Sequence, residues 1–326
     1  MKHEKKVQNL DTLPTRFNLK PHTKRSTWGA DFALVVCALL WGMGFVAMKG
    51  ALDTYPAYWL LFFRFMGGTL LMGICFFKQI AKTSKEDLFG GVIIGIFLFL
   101  GMGLQTVGLD YTTAGKQAFL TATYVVMVPL LSWGLYRTFP GWIALVGAFV
   151  CFTGMGLLTS DITGPLNIGD LLTIVSTLFF AAQIISIAHY AGKGDPLVLT
   201  FVQFLVTALL SMGTALYFNG PLELKGTQGL FEVFFTTVFC TFLCFLIQNI
   251  AQKHTSSSHA SILLGLESVF GVLGGIFILG ESFTFRMGGG CSLIFGAILL
   301  VELGPVLLDR FEPTSLPPKS VSSGND

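Results

Sequence analysis

The chain is a succession of long apolar runs separated by short polar turns. A helix that crosses a bilayer needs about 20 predominantly apolar residues, and ten runs reach that length. They predict helices at 30–51, 57–77, 88–109, 113–134, 141–159, 168–191, 197–218, 230–251, 257–279 and 285–307. The longest connections, 78–87 and 219–229, leave no room for a soluble domain. The pattern therefore predicts an all-α polytopic membrane protein with ten transmembrane helices.

The pattern also repeats within the chain. The stretch 104–129, an apolar run, a Thr- and Gly-containing turn and a second apolar run, has a counterpart 143 positions later. Residues 62–65 align with residues 201–204 at an offset of 139, and Gly147 and Gly154 match two later glycines at an offset of 142. Matches in the same order at nearly constant offset indicate two homologous halves.

These halves are predicted at 30–159 and 168–308 as two five-helix repeats. A basic tail at 1–29 precedes them, and a Pro- and Ser-rich tail at 309–326, predicted to be disordered, follows.

Composition supports a membrane location, and the positions of the charges predict an orientation. The chain is 53% hydrophobic and 12% charged, whereas a soluble domain carries about 25% charged residues. With the N-terminus inside, 15 Lys and Arg residues fall on the cytoplasmic side and 2 outside. By the positive-inside rule, both termini are predicted to be cytoplasmic, in a cell (inner) membrane. Five helices separate equivalent positions, and because five is odd, equivalent helices would cross the membrane in opposite directions. The two repeats would therefore be inverted, which is an architecture of secondary transporters.

Three charged residues within the apolar segments are candidates for substrate binding, because charge inside a bilayer usually faces a cavity or a partner. Arg64 and Lys116 are predicted to attract a carboxylate, and Glu267 lies near the expected midplane. For Arg64 the alternative is a structural pair, and for Lys116, as for Lys49, it is a side chain that reaches the headgroups.

Four uncharged residues complete the candidate site. Gln105 and Gln248 occupy equivalent places and are predicted either to close their helical hairpins by hydrogen bonds or to act as polar gate groups. Trp41 and Tyr124 are predicted to line a cavity or to serve in packing, and the repeat places Tyr124 opposite Glu267.

Glu267 has two open interpretations. An unpaired carboxylate at that depth would take up a proton, since burial disfavours the charge, and alternation between protonated and paired states would couple proton movement to transport. The other interpretation is a permanent ion pair between Arg64 and Glu267.

Several motifs resemble those of EamA-type transporters in the drug/metabolite transporter superfamily, over about residues 30–308. The stretches that carry the resemblance are 40–45, 63–65, 260–270 and 279–281, with Gly289 and Gly296 in the last helix. The resemblance implies ten helices in two inverted units, with the first four helices of each unit around a central cavity. It also implies export or exchange of small metabolites, often amino acids.

The sequence therefore predicts a secondary transporter that exports or exchanges small metabolites, such as amino acids, by alternating access. The expected partners are a small-molecule substrate, such as an amino acid or another carboxylate, the bilayer and, where transport is coupled, protons, without nucleic acid, cofactor or metal. A phosphate-ester or nucleotide-sugar exchanger is an alternative, although the second half has no deep Lys or Arg. An intramembrane enzyme is a weaker one, because its clustered catalytic residues are missing. No Walker A pattern is present, so ATP hydrolysis by this chain is not expected.

Overall fold

Every regular element of the described chain is a helix. A computed structural model describes residues 27–137, 139–159, 167–222, 228–279 and 284–311. In the first half the helices are α1 (Thr27–Leu52), α2 (Ala57–Ile80), α3 (Lys85–Tyr111), α4 (Ala114–Thr121), α5 (Tyr124–Tyr136) and α6 (Trp142–Thr159). In the second half they are α7 (Ile168–Ala191), α8 (Pro196–Asn219), α9 (Leu230–Phe235), a π-helical segment (Thr236–Leu243), α10 (Cys244–Ala251), α11 (Ser257–Leu264), α12 (Glu267–Leu279) and α13 (Phe285–Phe311). Most of both predicted tails lies outside the described residues.

The prediction of a polytopic membrane protein is confirmed. Within the described residues, eight helical stretches are long and apolar enough to cross a membrane. Two shorter apolar helices, Trp142–Leu157 and Gly288–Val301, coincide with the fifth and tenth predicted segments. The count of ten transmembrane helices and their inverted arrangement remain predictions.

Three of the predicted segments are not single α-helices. The eighth segment, 230–251, consists of α9, the π-helical segment and α10. The fourth divides at 122–123 into α4 and α5, and the ninth divides at 265–266 into α11 and α12. At each break one carbonyl accepts both the hydroxyl and the backbone N–H of the residue three positions later. Thr123 Oγ1 and Thr123 N donate to Leu120 O at 2.7 and 3.2 Å, and Ser268 Oγ and Ser268 N donate to Gly265 O at 2.8 and 3.2 Å. Such local bonds compete with the helical ladder. Pro129 lies within α5, which continues through it to Tyr136.

The helices pack across the two halves. α3 lies against α7 and α8, α2 against α8, α6 against α13, and α1 against α12 and α10. Small residues permit these approaches, as expected for helices in lipid. A Cβ on Gly154 would stand 2.9 Å from the Gly290 carbonyl of α13, and one on Gly289 would stand 3.3 Å from Leu157. Gly154 and Gly289 therefore allow α6 and α13 to pack closely, whereas a Cβ on Gly296 would have nothing within 4 Å.

Helix termini fix one end of the bundle. Asn167 and Asp170 form a capping box at the start of α7, in which each side chain accepts from the other residue's backbone N–H. Lys49, near the end of α1, donates to the carbonyls of Leu109 at 2.6 Å and Thr112 at 3.2 Å. Lys49 therefore connects α1 to the carboxyl end of α3 by hydrogen bonds. Its side chain does more than extend toward the lipid headgroups.

Candidate functional site

A central cavity lies where the two broken spans meet α1, α2, α3, α7 and the π-helical segment. The space between its lining atoms, counting any open solvent, is about 570 Å³. Six of the seven residues predicted for the site line it: Trp41, Arg64, Gln105, Tyr124, Gln248 and Glu267. Aromatic and sulfur-containing side chains form most of the remaining wall.

Arg64 is buried in the cavity wall, and among the described residues it has no carboxylate partner. It is 2% exposed. Its Nε donates to Thr241 Oγ1 at 3.2 Å, and its Nη1 lies 2.9 Å from Met48 Sδ, a weak acceptor. Within the described residues, no Asp or Glu oxygen lies within 4.0 Å of this guanidinium. The guanidinium has five N–H donors, so it keeps donors available for a ligand.

Glu267 is the acidic residue of the same wall. It begins α12, directly after the second break, and is 3% exposed. The Tyr124 hydroxyl, which follows the first break, lies close enough to interact with the Glu267 carboxyl. Their geometry falls short of a hydrogen bond, and Tyr124 Oη and Glu267 Oε1 have no hydrogen-bond partner among the described residues. The expected placement of these two residues opposite each other thus agrees with the structure, and a permanent Arg64–Glu267 ion pair is not formed.

Trp41 is fixed by the π-helical segment. Its Nε1 donates to the Cys240 carbonyl at 2.7 Å, and its ring lies 5.1 Å from the Phe245 ring, centroid to centroid. A π-helix pairs each N–H with the carbonyl five residues earlier, and such segments occur frequently at functional sites. The neighbouring residue of this segment, Thr241, accepts the bond from Arg64. One irregular element therefore orients both a cation and an aromatic wall.

The two equivalent glutamines make different contacts. Gln105 Nε2 donates to Thr121 Oγ1 of α4 at 2.9 Å, which closes the hairpin of α3 and α4. Gln248 Oε1 instead accepts from Gln183 Nε2 of α7 at 3.4 Å. The hairpin interpretation fits Gln105 alone, although both residues line the cavity.

Lys116 is the one predicted site residue that does not line the cavity. Its Nζ lies 2.6 Å from Asp170 Oδ2, and Thr112 Oγ1 donates to Asp170 Oδ1 at 2.8 Å. This buried cluster joins α4 to the start of α7. Lys116 therefore neither extends to headgroups nor lies beside Arg64.

Sequence reasoning missed several cavity residues. Gln183 carried a usable signal, because it is an amide in the middle of an apolar helix. Met48, Phe180 and Phe245 carried none, since an apolar side chain on an apolar helix suits lipid, core or cavity equally. Within the described residues, no group of three His, Cys, Asp or Glu side chains is arranged to hold a metal ion.

A family model described as "EamA-like transporter family" matches the chain twice, at residues 28–160 and 167–303. The chain belongs to this family. The resemblance recognised from the motifs is therefore confirmed, and the protein is a multi-pass membrane protein of a transporter family.

Proteins named as transporters in an archaeon and a bacterium are similar to this EamA-like transporter. An "Uncharacterized transporter" of Archaeoglobus fulgidus is 37% identical over 274 residues, which cover 84% of this chain and 86% of the relative. The "S-adenosylmethionine uptake transporter" of Rickettsia prowazekii is 26% identical over 188 residues, 53% of this chain and 62% of that protein. One solved crystal structure shares the fold with a TM-score of 0.70 at 17% identity, covering 85% of this chain and 98% of its own.

Proposed function

We propose that this EamA-like transporter is a secondary transporter that carries a small zwitterionic metabolite, such as an amino acid, through the central cavity. The observation that carries the proposal is the pair Arg64 and Glu267. Both line one cavity, both are buried, and no direct ion pair joins them. Buried charges are costly unless they are paired. A substrate with a carboxylate and an ammonium group would supply the missing partner of each.

The rest of the wall suits the body of such a substrate. Trp41, Phe180 and Phe245 present aromatic surface, and Gln105 and Gln248 add amide groups. An apolar pocket with a few convergent polar groups is typical of small-molecule sites. S-adenosylmethionine, for which the Rickettsia relative is named, contains an amino-acid group and belongs among the candidates.

A phosphate-ester substrate fits the cavity less well. Arg64 is the only Lys or Arg among the described cavity-lining residues, whereas Glu267 would repel a phosphate dianion. Phosphate groups are commonly held by several charge-assisted hydrogen bonds from Arg or Lys. Sugar phosphates are therefore included among the substrates tested below.

Transport is proposed to occur by alternating access between two inverted halves. The family model matches twice, and the spans break at positions that the repeat makes equivalent. The packing is reciprocal as well: α1 lies against α12 of the ninth segment, and α7 lies against α4 and α5 of the fourth. Two such halves have two equivalent packings, which open to opposite sides.

Reconstitution into liposomes with a radiolabelled panel tests the function. The panel contains L-amino acids, their methyl esters, their N-acetyl derivatives, S-adenosylmethionine and sugar phosphates. Wild type is expected to prefer free amino acids. In Arg64→Gln, the preference for free amino acids over their methyl esters should fall by about 10- to 100-fold, since a charged hydrogen bond contributes about 1.5–3 kcal/mol. Arg64→Lys should recover only part, because lysine lacks the bidentate geometry.

Glu267→Gln should instead lose the preference over N-acetyl derivatives. Lys82→Gln, in an exposed loop, is the control for changing a charge elsewhere and should leave all preferences unchanged. Transport of the same substrates with unchanged affinity by folded Arg64→Gln and Glu267→Gln would contradict the proposal.

Proton coupling forms a separate part of the proposal, with Glu267 as the titrating group. A pH gradient should drive uptake by wild type. The Glu267→Gln variant should still exchange substrate, but its uptake should not change with the pH gradient. If wild-type uptake is indifferent to the gradient, Glu267 acts only as a substrate ligand or a structural group.

A further inference from the structure

Two ion pairs lie outside the cavity, one toward each end of α1. Lys116 of α4 lies 2.6 Å from Asp170 of α7. His259 of α11 lies 4.0 Å, Nε2 to Oδ1, from Asp31 of α1, a contact that is an ion pair when the histidine is protonated. None of these four residues lines the cavity.

The repeat relates the two pairs to each other. Asp31 and Asp170 are 139 positions apart, and Lys116 and His259 are 143 apart. These are the offsets that align residues 62–65 with 201–204 and Gln105 with Gln248. Each pair thus joins the first helix of one half to the fourth segment of the other half, in equivalent places.

The cavity lies between the pairs. Asp31 precedes Lys49 by 18 residues on α1, which is about 27 Å along a helix. Lys49 contacts the carbonyl of Thr112, whose hydroxyl donates to Asp170. Trp41 of the cavity wall is near the middle of that interval.

The two pairs differ in how tightly they are closed. The Lys116 and Asp170 side chains are 5% and 0% exposed, and Thr112 adds a further bond to the carboxylate. The His259 and Asp31 side chains are 22% and 11% exposed. One end of the bundle is therefore closed by a short buried pair, and the other by a longer, partly open contact.

Each cation sits on a short helix that is joined to the next helix of its span by a tight turn of i→i+3 backbone hydrogen bonds. Lys116 belongs to α4, which ends at the break before Tyr124, and His259 belongs to α11, which ends at the break before Glu267. A short helix of eight residues can shift as a unit when its carboxylate partner is lost, without moving all of the next helix.

We propose that Lys116–Asp170 and His259–Asp31 are the two gate pairs of the transport cycle, and that closing one favours opening of the other. This inference rests on the alternating access of the proposed function. The four residues position the gate helices and do not touch the substrate. The structure then represents the state in which the Lys116 end is closed.

Hydrogen–deuterium exchange of the purified full chain in detergent tests the coupling without any substrate. His259→Lys gives the weaker pair a permanent positive charge. Exchange is expected to fall several-fold in peptides covering 252–264 and to rise several-fold in peptides covering 110–121, about 27 Å away, where nothing was changed. His254→Lys places the same charge just before α11 but outside the pair, and should produce neither change.

A second variant acts from the other end. Lys116→Gln combined with Asp170→Asn removes both charges together, so that no buried charge is left unpaired. Exchange should rise at 110–121 and fall at 252–264. Changes confined to the end that carries the substitutions, in either variant, would overturn the coupling. Because the assay uses no substrate, this result is separate from failure of the transport panel, which would instead reject the proposed substrate class.

Discussion

Beside the cavity, α1 lies tightly against α12 at Gly42. A Cβ built there would stand 2.7 Å from Glu267 O, Gly271 N and Phe270 Cβ. Three atoms of one helix are met at once, and two of them are backbone, so no flexible side chain can turn away. Gly42→Ala is therefore expected to push α12 away from α1.

The size of the effect follows from the distances. Ordinary van der Waals contact begins near 3.4 Å, so α12 must retreat by about 0.7 Å, the difference between the two values. Overpacking of this kind costs about 1–3 kcal/mol. At about 2–4 °C per kcal/mol for chains of 150–250 residues, the unfolding midpoint should fall by several degrees. Since Glu267 is one of the three contacts, transport should also weaken.

Thermal unfolding in detergent, followed by the loss of the monodisperse size-exclusion peak, measures the stability change. Gly213→Ala on α8 is the matched control, because a Cβ there has nothing within 4 Å. Alanine exceeds glycine in helix propensity by about 1 kcal/mol, so the control should be neutral or slightly more stable. If both variants have the same midpoint, the argument from the α1–α12 contact is refuted.

Three further predictions concern single contacts and topology. Trp41→Phe keeps an aromatic wall but loses the 2.7 Å bond to the Cys240 carbonyl, so stability should fall by about 1 kcal/mol in the same unfolding assay, and an unchanged midpoint would contradict this role. Lys49→Met removes the 2.6 Å bond to the Leu109 carbonyl and should raise hydrogen exchange at the end of α3, whereas Lys82→Gln should not. An impermeant thiol reagent should label a cysteine at 193 only from the cytoplasmic side, and outside labelling would reject the inverted topology.

Much of the fold followed from physical constraints visible in the sequence. Long apolar runs require helices in a bilayer, and eight of the ten runs meet the length and composition of a membrane span in the described residues. The cavity residues Arg64 and Glu267 were found because a charge within an apolar run needs a reason to be there. Gln105 and Gln248 were found because the repeat marked them.

Irregular backbone was not predictable in the same way. The two breaks go together with local bonds from side chains to carbonyls, such as the bond from Thr123 Oγ1 to Leu120 O. Threonine and serine occur throughout the apolar runs, and only the packed structure selects those that interrupt a helix. The partner of Lys116 was missed for a related reason. The sequence indicates only that Asp170 caps a helix. Its second contact, with Lys116 of α4, is a tertiary contact that the local sequence does not reveal.

The chemistry of the cavity lies where the repeat departs from symmetry. The position equivalent to Arg64 in the second half is Gln203, and the position equivalent to Glu267 in the first half is Tyr124. The first half thus contributes the cation Arg64, and the second half contributes the acid Glu267. In each case the equivalent residue of the other half is uncharged. A fully symmetric cavity would hold a substrate equally well in two orientations. With one cation and one acid, a zwitterion has a single favourable orientation, so the cavity can hold it the same way whichever end of the bundle is open.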